Sequence, residues 1–342
     1  MSRTSVEARR AAERVVVALV VAVVLTFAGR ALAAGVATGN RIIDHLYATS
    51  LVDRNTGWIA GAFGMIARSR DGGKTWQVQA SGTVEHFFDI DFCDTSHGWA
   101  VGRSGMIAHT SDAGETWQPQ VSATEHHLFS VKALSPQRAV AVGDWGTIVS
   151  TRDGGKTWAA QSIDRDVILN AQAWPDAQHA WVVGEAGTVL VSGDGGTTWQ
   201  DQQTGVEKTL FGAFFKDAQQ GWIVGLDGII LRTTDGGASW QAQHGDTSVG
   251  ALEQVGAKAG VENPSLYDIA LAGQIGYAVG EGAAVFLSED GGSTWQRKPV
   301  PAAANLRWIR SVSLVPGTHG MLVGANGLRI TAAGSQLSLP EN

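Results

Sequence analysis

Six aspartates recur through this chain of 342 residues: Asp71, Asp112, Asp153, Asp194, Asp235 and Asp290. The first five stand 41 residues apart and the sixth 55 further on. Each opens a six-residue motif with glycine third and tryptophan last, at Trp76, Trp117, Trp158, Trp199, Trp240 and Trp295. A carboxylate can serve as general acid, nucleophile or cation ligand. An active site, however, needs a few unique residues, and six equivalent ones point to a structural task. Ser69, Thr110, Thr151, Ser192, Thr233 and Ser288 lie two residues before the aspartates. Paired hydroxyl and carboxylate side chains of this kind tie the backbone of a turn, and glycine accepts the positive φ such a turn needs.

Three other groups could carry chemistry. His45, His86 and His127 are also 41 apart, with Glu85 and His126 beside two of them. They are candidates for a metal or proton-handling site, or for a duplicated residue that caps a strand. Glu85, Asp144, Glu185, Asp227 and Glu281 are carboxylates in the hairpins or interblade linkers, which share one face. Two of them at about 6.5–9.5 Å would permit inverting glycoside hydrolysis, which stays open on these residues. A Tyr–Glu nucleophile pair is harder to build. Of the three tyrosines, Tyr277 takes the place of a repeated tryptophan, and Tyr47 and Tyr267 fall on the bulky face expected to pack on a neighbour. Cys93 is the one cysteine, so no internal disulfide forms.

These residues need a scaffold, and the period supplies it. About forty residues per unit suits one four-stranded propeller blade. A second motif precedes each aspartate: Gly57-Trp58-Ile59-Ala60-Gly61, Gly98-Trp99-Ala100-Val101-Gly102, and equivalents ending at Gly143, Gly184, Gly225, Gly280 and Gly324. That makes seven copies, each leading through a short glycine-flanked turn into another apolar run, as in a tight hairpin. Stretches such as Phe87-Phe88-Asp89-Ile90-Asp91-Phe92 alternate and read as innermost strands. The expectation is an all-β, seven-bladed β-propeller over 44–342, with four-stranded blades. The seventh unit is degenerate, having neither Asp nor Trp near Thr331-Ala332-Ala333-Gly334. Residues 34–43 form a lead-in that could join the ring closure.

Residues 1–33 read as a signal peptide. Arg3, Arg9, Arg10 and Arg14 precede an apolar run from Val15 to Gly29, and Ala31-Leu32-Ala33 offers a cleavage site. The run is short for a membrane span. The expected location is the periplasm after export, with a membrane anchor if the leader is kept. Losing its five basic and two acidic side chains takes the formal charge from −7 to −10. An acidic chain of this kind is a poor nucleic-acid binder.

Strand order places the repeated aspartates on one face of the ring, and the hairpins with the interblade linkers on the other. The hairpin pairs vary: Ala62-Phe63, Arg103-Ser104, Asp144-Trp145, Glu185-Ala186, Leu226-Asp227, Glu281-Gly282 and Ala325-Asn326. Variable side chains on a rigid frame are where binding resides. Arg103, Asp144, Trp145, Arg307, Trp308 and Arg310, with Arg41 nearby, are the partner-binding candidates, because Arg and Trp dominate interface hot spots. An insertion of about fifteen residues, 245–261, joins the same face. No cofactor is expected, and the ring needs no second copy, so a monomer is expected.

The aspartate motif has the Ser/Thr-x-Asp-x-Gly-x-Thr-Trp form of the Asp-box, or bacterial neuraminidase repeat. Combined with seven Gly-Trp-x-Val-Gly units over 44–340, it resembles the photosystem II stability and assembly factor family. The resemblance implies an exported seven-bladed propeller that binds newly made membrane-protein subunits, though the leader here looks like ordinary bacterial export. It also implies an arginine-rich patch, which no residue here matches position by position. The function it suggests is a non-catalytic scaffold binding a protein partner, a membrane protein or its exported loops. A glycan-binding or glycoside-hydrolysing Asp-box propeller is the alternative.

Overall fold

The computed structural model describes residues 42–245, 263–317 and 319–340. The signal peptide over 1–33, most of the 34–43 lead-in, Arg41 and nearly all of the 245–261 insertion lie outside them. The described residues form seven four-stranded antiparallel sheets, each made from four strands in chain order. The blades span 46–78, 87–120, 128–160, 169–201, 210–244, 266–297 and 309–338. Innermost strands of successive blades neighbour one another, and that of blade 7 neighbours blade 1, closing the ring. The chain thus forms the seven-bladed propeller that its repeat predicts.

Each Asp-box is a self-contained turn between the third and fourth strands. In blade 1 the Ser69 hydroxyl donates to Asp71 Oδ1 at 2.8 Å and accepts from the Gly73 N–H at 2.8 Å. Asp71 in turn accepts from the Thr75 N–H at 2.9 Å and from the Thr75 hydroxyl. Blade 3 repeats the pattern through Thr151, Asp153 and Thr157. The same hydroxyl-to-aspartate bond recurs in all six boxes. The Gly72 N–H donates to Asn55 O at 2.9 Å, which places the box on the same face as the loop between strands one and two.

The box tryptophan does more than cover an edge: it wedges against the preceding blade. Trp58 of blade 1 stacks on Phe92 of blade 2 at 3.5 Å and 8°, and Trp117 meets Phe92 edge-on at 5.9 Å and 87°. Trp181, Phe215 and Trp240 repeat this triplet between blades 4 and 5. Burying each ring contributes about 1.5–3 kcal/mol, and favourable pairing about 0.5–1.5 kcal/mol more.

Blade 7 lacks a box, and its third and fourth strands turn through Gly334, whose carbonyl accepts from the Tyr277 hydroxyl at 2.7 Å. All four of its strands come from the C-terminal end, and among the described residues no N-terminal strand joins that sheet. The ring closes through linker and strand contacts between blades 7 and 1 instead. The Gly327 N–H donates to Asp44 O at 2.8 Å, as the Gly146 N–H does to Val167 O at 2.7 Å in an ordinary linker. Ile42 packs with Met321 and Val323, and the Leu51 N–H donates to Ser313 Oγ at 3.0 Å. One residue breaks the pattern at this seam. Arg329 stands where the other blades carry buried Ile66, Ile107, Ile148, Val189, Ile230 and Val285, and its Nε and Nη1 are buried without a hydrogen-bond partner.

Candidate partner-binding face and central channel

The hairpins differ by one residue from the sequence reading. In blade 1 the left-handed pair is Phe63 (φ 56°) and Gly64 (φ 72°), closed by the Met65 N–H donating to Ala62 O at 3.1 Å. The first variable residue is therefore the turn's corner and the second its tip. Tips sit at positive φ in every blade: Phe63, Ser104, Trp145, Ala186, Asp227, Gly282 and Asn326. Left-handed backbone costs a non-glycine residue about 1–2 kcal/mol. The glycine that ends the second strand has another reason: a Cβ on Gly61 would collide with the His45 carbonyl.

The three histidines answer part of the strain at the tips. His86 Nδ1 accepts from the Phe63 N–H at 3.2 Å, His127 Nδ1 from the Ser104 N–H at 2.9 Å, and His45 Nδ1 from the Asn326 N–H at 3.1 Å. Each histidine thus holds the hairpin tip of the preceding blade. The strand cap considered from sequence becomes a clip between blades. One ring nitrogen of each is already engaged, and no group of three metal-ligating side chains occurs among the described residues. Burial holds all three imidazoles below their ordinary pKa, and Arg103 pushes His86 and His127 further down.

The candidate partner-binding residues fall into two groups. Arg103 faces Glu85 at 3.8 Å on blade 2, and next to it blade 3 presents Asp144 and the exposed tip Trp145, 57% accessible, tilted over His126 at 6.1 Å. Burial raises Asp144 to about 6. Arg307 and Trp308 lie in the linker entering blade 7. Trp308 is stacked on Tyr47 at 5.9 Å and packed on His45 at 5.2 Å. Arg310 belongs to the channel, not the surface: its guanidinium lies over the Tyr267 ring at 5.2 Å. Among the proposed glycosidase carboxylates, Asp227 pairs with Lys208 at 2.7 Å and Glu185 accepts from the Ile168 N–H at 3.1 Å.

Sequence reasoning missed the channel mouth. The second residue of each innermost strand points inward: Tyr47, Phe88, Phe129, Asn170, Phe211, Tyr267 and Arg310. Five aromatics form a collar, with Tyr47–Phe88 centroids at 6.1 Å, Phe88–Phe129 at 5.3 Å and Phe211–Tyr267 at 5.7 Å. Tyr47 and Tyr267 were expected to pack on a neighbouring blade. They face the channel because a β-bulge after the strand's first residue, seen at Leu46/Ala48 and Leu266/Asp268, resets the alternation. The signal was present as an aromatic immediately after the strand's first apolar residue in five of seven repeats.

Below the collar the channel turns polar, and the whole encloses about 350 Å³. Asp89 accepts from the Val131 N–H at 2.9 Å, and Asp268 from the Val312 N–H at 2.8 Å and the Ser311 hydroxyl at 3.0 Å, each pinning the next blade. Burial raises these carboxyls to about 7 and about 6, against the pull of the backbone bonds they accept. Asp91 pairs with Lys132 at 2.9 Å and holds its ammonium above the usual value.

One property separates the two faces. The large apolar side chains exposed among the described residues are Ile43, Phe63, Val78, Val84, Val121, Trp145 and Leu306. All but Val78 lie in hairpin tips or interblade linkers, on the collar side of the ring. The Asp-box face presents hydroxyls, carboxylates and glycines.

Together these features define a seven-bladed Asp-box propeller whose exposed large apolar side chains lie mostly on one face. The chain belongs to the photosynthesis system II assembly factor YCF48 family, whose model matches residues 36–168, 160–250 and 199–297. Among solved structures it is similar to a YCF48 bound to D1 peptide, with a TM-score of 0.67, 21% identity, and coverage of 86% of this chain and 94% of that one. It is also similar to YCF48 from Cyanidioschyzon merolae, at TM-score 0.66 and 18% identity over 85% and 96% of the two chains. A GH74 xyloglucanase from Xanthomonas campestris matches at TM-score 0.66 and 12% identity, over 87% of this chain and 53% of that one. At these identities the structural likeness shows the fold. No curated protein matches the chain by sequence.

Proposed function

We propose that this chain is an exported, non-catalytic propeller that binds a protein partner with its hairpin face and assists the assembly or function of a membrane protein complex. The observation that carries this reading is the concentration of exposed apolar side chains on that one face. Isolated exposed apolar residues are ordinary; their concentration on one rigid face is what an interaction surface would show. Family membership supports the scaffold role, and a relative's structure holds a D1 peptide. From the family we carry over only the coarser role, a scaffold that binds a protein partner; that the partner is a membrane protein is our proposal. The contacts we assign to Arg103, Asp144, Trp145, Arg307 and Trp308 are part of the proposal, as are the periplasmic location and the monomeric state. Of the five carboxylates that the glycosidase alternative draws on, Asp227 is held in an ion pair and Glu185 in a backbone bond, which leaves that alternative to Glu85, Asp144 and Glu281.

The test is co-purification of the tagged protein from mildly solubilised native membranes, comparing wild type with Trp145→Ser. A stoichiometric membrane protein that wild type retains and the variant loses supports the reading. Recovery of nothing, together with turnover of a β-glucan in a hydrolysis screen, would replace it with the glycosidase alternative.

A further inference from the structure

We propose that the hairpin tip of blade 3 is a seat for a basic side chain, arginine or lysine, carried by an extended segment of the protein partner. The inference rests on the protein-binding reading above and names the chemistry of what is bound.

Trp145 supplies one half of the seat. Its indole is 57% accessible at the top of a left-handed tip, φ 55°. Two linkers brace that tip from either side. On one, the Asp144 N–H donates to His127 O at 3.0 Å. On the other, the Gly146 N–H donates to Val167 O at 2.7 Å, and the Gly146 carbonyl accepts from the Ile163 N–H at 3.0 Å. The ring is thus held out on a fixed mount. An indole face attracts a cation within about 6 Å of its centre, more strongly than other aromatic rings do.

Carboxylates supply the other half. The two bracing linkers carry Glu125, Asp164 and Asp166, and the tip itself carries Asp144. The arginines nearby are already engaged: Arg165 pairs with Asp201 at 2.8 Å, and Arg103 faces Glu85 at 3.8 Å. Glu125 and Asp164 are exposed and hold no ion pair among the described residues. Burial raises Asp144 to about 6 and Asp166 adds to the push, against His126 and a backbone bond. A guest cation relieves this crowding of negative charge while it stacks on Trp145. Charge complementarity therefore selects a basic occupant over an acidic or purely apolar one.

The occupant is a segment because the surface continues past the seat. Beyond the second bracing linker a polar cleft of about 260 Å³ opens on blade 4, walled by Arg165, Thr188, Asp201, Gln203 and Glu207. A free small cation would leave it empty. An extended chain lays its basic residue on Trp145 and a neighbouring polar side chain in the cleft, as peptides do on pocketed surfaces.

The experiment selects random 12-residue peptides, displayed on phage, against the full chain, and measures the synthesised winners by fluorescence anisotropy. The expected consensus has an arginine or lysine. Its neutral analogue, citrulline or norleucine, lowers affinity by about fivefold or more. Glu125→Gln with Asp164→Asn lowers it about three- to tenfold and flattens its dependence on salt between about 50 and 300 mM. Both side chains are exposed, so the unfolding midpoint stays unchanged. Trp145→Leu weakens binding several-fold whereas Trp145→Phe keeps most of it, a split that a merely apolar contact would not give. Winners without a basic position, or indifferent to the charge variant, overturn the inference. If those same winners are lost with Trp145→Leu, the protein-binding face survives and only the basic seat falls. Saturable binding of cellohexaose that Trp145→Leu abolishes assigns the tip to a glycan and overturns both, and a selection with no winners counts against both.

Discussion

The imidazole of His86 accepts a hydrogen bond at Nδ1 from the backbone N–H of Phe63, 3.2 Å away across the seam between blades 1 and 2. The donor belongs to a left-handed hairpin tip, and the acceptor exists only while the ring is neutral at that nitrogen. His127 and His45 make the same bond to Ser104 and Asn326, so three successive seams share one titratable clip.

Acidification should therefore loosen these seams. The folded pKa of each histidine lies below its ordinary value of 6.5, chiefly through burial. A depressed folded pKa means a contribution that is full above 6.5 and lost as pH falls through the folded value. Asp89 and Asp268 act in the opposite sense, because raised carboxyl pKa values give stability that is lost as pH rises through about 6 to 7. The difference between proteins isolates the clip. Thermal unfolding followed from pH 7.5 to 5 should show a steeper loss for wild type than for a His86→Gln, His127→Gln variant. Parallel curves would remove the clip.

Asp153→Ala should lower the unfolding midpoint, since the turn loses its bonds to Thr157 and Thr151. The Thr157 bonds hold this carboxyl at about 2. Its contribution is thus present above the ordinary carboxylate value and disappears as pH falls toward 2. Binding of a partner on the opposite face should be unchanged, which a paired calorimetry and binding measurement would check.

Arg329→Leu should stabilise the protein by about 1–3 kcal/mol, the cost of an unsatisfied buried polar group. Leucine restores an apolar residue where six other blades carry isoleucine or valine. Urea unfolding at pH 7 reads the change directly. Destabilisation would mean that the guanidinium has a task at the closing seam.

Repetition made the scaffold legible. Asp71 and its five equivalents could be assigned to turns because a motif recurring around a ring has a local cause, and the hydrogen bonds of Ser69 and Thr75 supply it. What repetition hides is register. The β-bulge is written only indirectly, as an aromatic after the first apolar residue of the strand, so strict alternation puts Tyr47 and Tyr267 on a blade-packing face when they line the channel. Arg310, chosen with Arg307 for its place near the linkers, turns into the channel at Tyr267. The histidine clips were half legible: the 41-residue spacing marked a shared role, but the donor, a backbone N–H on the preceding blade, lies far away in sequence.

The most direct test of the account is face-selective photocrosslinking in native membranes. Benzoylphenylalanine placed at Phe63 or Leu306 probes the hairpin face, and at Lys74 or Lys156 the Asp-box face. The account predicts one discrete protein adduct from the first pair and none from the second. Adducts from the Asp-box face alone, or equally from both, would contradict it.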